Sequence, residues 1–519
     1  MSILNALILS TKGPKARVTF NPSPPKAIPQ FSHESLDKLQ VHLNNLSNNH
    51  MKSIAQFIRA NIGRKFIEPG YANHITEKGQ TLKDLYNLKT HMFEDSDGKA
   101  SELPVVWADA EKILSAVSEE RNFIGKVFVK AMADGGQGFL KICLTILPED
   151  FDNDVTDSDD SKGEPSKRST YEEGGGIGTY KLTSVKRVIM LAIVPDCKET
   201  HKNMKTLFDL TQLNRISFLF VVDFKLLLIS LGCKTATSTK PCPYCLISLK
   251  QLTPDDDNED PPVDFVETSI EKFEERTFGN LQESHTKFVN EYASNKKKAK
   301  FCNSTINAPL FDETSEVRVL DKCPPEELHM MQGFVNHTFF KGLVEVIGEE
   351  KALNFPKSLN CVAKDYHGTV FEGNACRMML KNADRMQDRK VLGDTSPLIV
   401  LPYVKAYKAM DKLVSSCFGN KFVDTDEALD LIEKVMSSYL DLNITVTLKI
   451  HVIFCHLLSS LQNPALNGRG LAKVSGQAGE SIHHEFKIFW GKYKINSLDN
   501  KLYGEHLLKA VIEFSSKHL

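Results

Sequence analysis

Two apolar stretches in this chain each stop at an aspartate, and that pairing restricts the possible folds more than any other feature. Val127, Val129, Ala131 and Ala133 alternate with Phe128, Lys130 and Met132, the period of two expected of a strand, and the run closes at Asp134. Gly135-Gly136-Gln137-Gly138 then turns the chain into a second strand, Phe139 to Leu147, and a third is expected over Val185 to Val194. Met204, Leu207 and Phe208 fall at helical spacing, and Ser217 to Val222 is almost continuously apolar, as in a buried parallel strand, before it ends in Asp223.

The order strand, strand, strand, helix, strand predicts an α/β fold with an RNase H-like mixed sheet, in which the first and fourth strands lie side by side in parallel. Both carboxylates would then emerge at one edge. Cutting a phosphodiester by in-line displacement needs charge neutralised on the attacking and the leaving oxygen, which two hard divalent ions about 4 Å apart supply when carboxylates hold them. Asp134 and Asp223 are candidate catalytic ligands for Mg2+ (or Mn2+), and a third acid from a helix would complete the set. Glu480 is the candidate, in Val474-Ser475-Gly476-Gln477-Ala478-Gly479-Glu480, where small residues allow close approach and a helix begins; Glu485 is its rival. Each acid also has a plain structural reading: Asp134 serving a glycine turn, Asp223 capping a helix from Phe224 to Leu231, and Glu480 complementing a helix dipole.

A second constellation joins Cys242-Pro243-Tyr244-Cys245 to His451 and His456. A CxxC knuckle offers two thiolates with a tetrahedral bite, and two histidines can complete a structural Zn2+ site. Residues five apart point about 140° away from one another on a straight helix, so the two histidines need a helix end or a distortion between them. Closing a loop of this length costs on the order of 5 kcal/mol, against roughly 10–16 kcal/mol from a structural zinc. One ion could therefore clip a long insertion to the core.

Around these motifs the chain divides into a flexible segment with prolines from Pro22 to Pro29 (1–31) and a helical N-terminal region (32–123) available for DNA binding or dimerisation. The helical reading there rests on Leu36, Leu39, Leu43 and Leu46, and on Met51, Ile54, Phe57, Ile58 and Ile62. The first part of the core follows (124–245), then a helical insertion (246–442) with a stripe of Leu429, Ile432, Val435, Met436 and Tyr439. The last part (443–519) carries the histidine pair and the final acid. Acidic, Ser- and Gly-rich residues 150–179 read as a disordered loop. Its Gly174-Gly175-Gly176-Ile177-Gly178 run has neither a following Lys-Ser/Thr nor a preceding strand, so it reads as linker and not as a phosphate loop.

With 64 basic and 66 acidic residues the net charge is −2, so any affinity for phosphate must come from local fields such as Lys181 to Arg187 and Lys296-Lys297-Lys298-Ala299-Lys300. The longest apolar run, Ile216 to Gly232, is interrupted by Asp223 and Lys225, which argues against a membrane span. Eleven scattered cysteines without a secretory pattern point to reduced thiols in the cytosol or nucleus.

From about Val127 to Trp490 the chain resembles the Transib transposases and the catalytic core of the V(D)J recombinase, with the CACTA-Mirage-Chapaev group as cousins. Asp134-Gly135 looks like the first acid with its glycine; Asp223, followed by Cys242-Pro243-Tyr244-Cys245, looks like the second acid and the knuckle. Leu328-His329 is similar to a family Leu-His pair, Gly373-Asn374-Ala375-Cys376-Arg377 to a Gly-Asn-x-x-Arg segment, His451 and His456 to the histidine pair, and Gly479-Glu480-Ser481 to the region of the last acid. The resemblance implies a nuclear DDE recombinase that binds inverted-repeat ends of double-stranded DNA as a homodimer, nicks them with Mg2+-activated water and lets the new 3′ hydroxyl attack. Gln477 stands where some relatives carry a further acid, and residues 1–120 match no end-binding module. Two other readings are a domesticated or decayed copy that binds without cutting, and a zinc-organised helical interaction protein.

Overall fold

The computed structural model describes residues 82–149, 187–252, 273–292, 295–365 and 369–519, plus positions 32, 36, 54, 55 and 58; the side chains of Asp365, Thr369 and Glu480 are outside the description. The chain forms two compact units, Met1–Gln80 and Thr81–Leu519. In the first, Leu36, Ile54 and Ile58 of the expected stripes are helical, and Leu36 and Ile58 are buried. The rest of that region, the loop at 150–179 and Lys181 to Lys186 lie outside the described residues.

The second unit is built on a mixed six-stranded sheet. Its strands are β1 (Tyr86–Glu94), β2 (Ala100–Ala108), β3 (Val127–Asp134), β4 (Phe139–Pro148), β5 (Val188–Pro195) and β6 (Leu219–Val221), in the order β1-β2-β5-β4-β3-β6. Every neighbouring pair is antiparallel except β3 with β6, which is parallel. The strands β1, β3, β5 and β6 therefore run in one direction and their C-terminal ends share one edge of the sheet.

Residues 86–108 depart from the helical reading of 32–123. They form a hairpin through Asp95-Ser96-Asp97-Gly98, with Gly98 at φ +81°. The Asp-Gly pair is a strong turn signal, and Val105, Val106 and Trp107 are β-branched or aromatic residues that suit a pleated surface. The helical pattern resumes at α1 (Ala110–Glu120), capped by the Asp109 side chain.

Both faces of the sheet are covered, since β5 is buried along its whole length and β4 along all but its ends. The helix α2 (His201–Thr211), capped by Thr200, packs on β1, β2 and β5, burying the expected Met204, Leu207 and Phe208. A short α3 (Phe224–Ser230) starts directly after β6.

Apart from a two-stranded antiparallel pair, Lys364–Asp365 with Thr369–Val370, the regular elements of the remainder are helical, the main ones being α4 (Phe278–Tyr292), α5 (Glu327–Thr338), α6 (Gly373–Lys381), α7 (Pro397–Cys417), α8 (Thr425–Leu440), α9 (Leu448–Cys455), α10 (Leu457–Leu461), α11 (Gln477–Tyr493) and α12 (Tyr503–Ser516). The stripe expected at 429–439 lies on α8, which buries Ile432, Val435 and Tyr439. The chain returns to the sheet at its end, where α12 packs on β1, β2 and β5 while α11 lies against β3. Gly373 at the start of α6 has no Cβ to collide with Leu328 of α5, whose Cδ1 would lie 2.4 Å away, so the Gly-Asn segment and the Leu-His segment meet. Among the described residues no helix is long and apolar enough to cross a membrane, and all eleven cysteines are free thiols.

The strand β6 has only three residues, and packing holds it in place. The Phe220 ring, 1 % exposed, meets Phe208 and Phe311 at centroid distances of 5.8 and 5.2 Å. Truncating a buried ring costs about 3–5 kcal/mol. The substitution Phe220→Ala should lower the urea midpoint accordingly, and a loss below about 1 kcal/mol would show that β6 is held by something else.

Candidate functional site

The parallel register of β3 and β6 pairs Lys130 with Leu219, Ala131 with Phe220 and Met132 with Val221. Continued two residues further, it sets Asp134 level with Asp223. Neighbouring strands lie about 4.8 Å apart, so the two aspartates start from adjacent backbone positions at one sheet edge.

Their immediate partners combine the structural readings with something more. Asp223 Oδ1 accepts the Leu226 N–H at 2.6 Å and so caps α3, as the plain reading expects. Asp134 Oδ1 accepts the Gly136 N–H at 3.3 Å, while Oδ2 pairs with the His483 imidazole and lies 3.8 Å from Lys141 Nζ. Burial alone would push the Asp134 carboxyl up, but His483, Lys141 and the Gly136 N–H outweigh it and leave the pKa below its ordinary value.

A third acid at this edge has no counterpart in the sequence reading. Glu199 Oε1 accepts the Gly135 N–H at 3.0 Å, and its other oxygen pairs with Lys225. A Cβ at Gly135 would fall 2.4 Å from Glu199 Oε1, and one at Gly136 would fall 2.5 Å from His483 Cε1, so the two glycines after Asp134 are needed for close approach. Lys225 is held above its ordinary pKa by its bond to Glu199, against some desolvation, and by the charges of Glu199, Asp223 and Asp134. The signal that could have located Glu199 is its place just past β5, another strand whose C-terminal end reaches this edge.

The helix α11 brings in the last candidate. Gly479 lies against Met132 of β3, which lets the helix approach the sheet, and His483 reaches Asp134 one turn later. Position 480 precedes His483 by three residues, a spacing that shares a helix face, whereas position 485 lies about 200° round the helix from His483. The Glu480 side chain itself lies outside the described residues.

Behind this edge sits a buried charged cluster. Lys130 of β3 is fully buried and its Nζ donates to the Ser475 carbonyl at 2.6 Å, just ahead of α11. Glu326 and Glu327, each 2 % exposed, stand at the start of α5, where Glu326 caps the helix and pairs with His329. Burial and the charge of Glu326 push the Glu327 carboxyl up to about 7, against Ser475 and Lys130. Burial pulls Lys130 down to about 8, against Glu327 and Glu326.

The knuckle and the histidine pair converge. The ligating atoms of Cys242, Cys245, His451 and His456 all lie within 4.8 Å of one another, and all four residues are buried. Cys242 Sγ is 3.5 Å from His456 Nε2, Cys245 Sγ is 3.3 Å from His451 Nε2, and the two Nε2 atoms are 3.2 Å apart. Tetrahedral coordination, at about 2.0–2.1 Å from nitrogen and about 2.3 Å from sulfur, sets ligand-to-ligand edges of roughly 3.3–3.8 Å. The cluster fits that geometry and could hold a metal ion such as zinc. The geometric obstacle to an HxxxxH pair is removed by a break: α9 ends at Cys455 and His456 takes φ −127°, ψ −15°, before α10 begins. Burial opposes ionisation of both thiols, yet Cys242 falls well below the ordinary value because Cys245, His456 and His451 face it; Cys245 is pushed up by burial and by Cys242.

Compared with known proteins, the chain matches no family model and no curated protein.

Two measurements check these centres. Native mass spectrometry of the full chain should find one zinc per molecule, and Cys242→Ala or His456→Ala should lose it together with several kcal/mol of stability; a zinc content unchanged in both variants would remove the assignment. Between the ordinary carboxyl value of 4.5 and about 7, folded Glu327 keeps a proton that the unfolded chain releases. Stability should therefore fall as pH rises through that window. Glu327→Gln should flatten this dependence in urea titrations, and an equally steep variant would place the proton elsewhere.

Proposed function

We propose that this chain is the core of a DDE-type DNA transposase or recombinase, with Asp134, Asp223 and Glu480 as its catalytic acids. The observation that carries the reading is the level placement of Asp134 and Asp223 on adjacent parallel strands, with the first turn of α11 against the same edge. The run β5-β4-β3-β6, three antiparallel strands extended by a parallel fourth, supports an RNase H-like assignment, with β1 and β2 added on the far side. The helical stretch between β6 and α11, clipped by the cysteine-histidine cluster, corresponds to the insertion that the resemblance implies.

The acids present carboxylate oxygens suited to hard cations, Mg2+ or Mn2+, which when bound would activate water and neutralise the leaving oxygen. The chain's own groups set the stage. His483 and Lys141 hold Asp134 ionised, and the Leu226 N–H fixes the Asp223 carboxylate. Glu199 fixes the Gly135 turn and orients Lys225, whose ammonium is near enough to Asp223 and Asp134 to be acted on by both their charges. The substrate in this reading is double-stranded DNA with inverted-repeat ends, the acting species a homodimer, and the site of action the nucleus.

A second reading, a decayed copy that binds DNA without cutting, draws on the same partners: the Asp134 carboxylate is engaged by the His483 imidazole, and Asp223 is engaged as a helix cap. Nicking of inverted-repeat DNA by the purified protein in Mg2+ separates the two. The transposase reading expects metal-dependent nicking that Asp134→Asn or Asp223→Asn lowers by at least about 100-fold without weakening binding, since each removes transition-state stabilisation alone. Binding without any metal-dependent nicking would favour the second reading.

A further inference from the structure

A rigid lysine surface adjoins the knuckle. Asn295 caps a tight turn, Lys296–Phe301, whose lysines 296, 297, 298 and 300 are all exposed while Ala299 is buried beneath them. The turn sits on a small core of its own, Phe288, Ala299 and Cys302, with Tyr292 and Ile306 packed against it. Phe301, about half exposed, stacks on Tyr292 with centroids 5.9 Å apart, and Lys298 and Lys300 lie 5.5 and 5.0 Å from its ring. The ring thus helps to hold its neighbouring ammonium groups in place.

Two hydrogen-bonding residues lock this turn to the loop that leads into the knuckle. Ser304 donates its N–H to Ala299, accepts the Lys234 N–H at 2.8 Å on its carbonyl and accepts the Lys240 N–H at 3.0 Å on Oγ. The buried Arg276 donates to the carbonyls of Cys242, Lys240 and Asn303. Lys234 and Lys240, both partly exposed, are thereby held by their backbone N–H groups beside the turn that carries the four lysines. None of the six has an ion-pair partner among the described residues; Glu291, whose charge acts on Tyr292 and Cys302, is the acid at the border. In a chain whose net charge is −2, six ammonium groups on a stiff support form a local positive field.

We infer that Lys234, Lys240, Lys296, Lys297, Lys298 and Lys300 form a docking surface for the phosphate backbone of double-stranded DNA, independent of sequence. The inference rests on DNA being the substrate of the acidic edge, and it names the surface that carries the flanking duplex. Each phosphate neutralised contributes about 0.9 to the slope of log affinity against log salt.

The test is fluorescence anisotropy of the full chain with a short labelled duplex of arbitrary sequence, titrated from about 50 to about 200 mM salt. In the variant K296Q/K297Q/K298Q/K300Q the slope should fall by about 3 to 4 and the affinity at low salt at least about tenfold, with thermal unfolding unchanged. The matching Lys→Arg variant should keep both slope and affinity, because it keeps the charges. An unaltered slope in the glutamine variant, or tighter binding to a single strand than to duplex, overturns the inference. Failure of the nuclease reading shows differently, as absence of nicking while the lysine-dependent slope remains.

Discussion

Everything proposed for this molecule depends on the parallel pairing of β3 with the three-residue β6. Antiparallel neighbours would send the ends of these strands to opposite edges; the parallel pair sends both aspartates to the same one. The pairing involves few backbone bonds, so the Phe208, Phe220, Phe311 cluster behind β6 supplies the packing that keeps it in place. Local sequence alone could not secure so short a strand.

The cysteine-histidine cluster works at a second level, by making the long helical excursion part of the core. Its cysteines follow α3 and its histidines lie where α9 breaks into α10, shortly before the chain runs back to α11. Residues far apart in sequence thereby fix the path of the segment that delivers position 480. Arg276 extends the same restraint outward, since its guanidinium holds the carbonyl of Cys242 together with that of Asn303.

The sequence made the period-two strands, the helix stripe at 429–439 and the cysteine-histidine set legible, because each is written in periodicity or in ligand spacing. The parallel placement of Asp134 beside Asp223 followed from strand order. The hairpin at 86–108 was hidden because its first strand is half-exposed and polar, so no clean alternation marks it, although Asp97-Gly98 is a turn signal. Glu199, Lys225 and His483 were not legible as a group: they gather around Asp134 only once the sheet and α11 are assembled. His456 shows the limit of spacing arguments, since a straight helix forbids the pairing that a single non-helical residue permits.

Lys130 gives the molecule a mechanical property. Its ammonium, dry and tied to the Ser475 carbonyl, faces two buried glutamates at the start of α5. Lifting the start of α11 off the sheet would break the Ser475 contacts with Lys130 and Glu327 and leave buried polar groups a partner short, at a cost of about 1–3 kcal/mol. The joint therefore behaves as a latch that keeps α11 in register with β3.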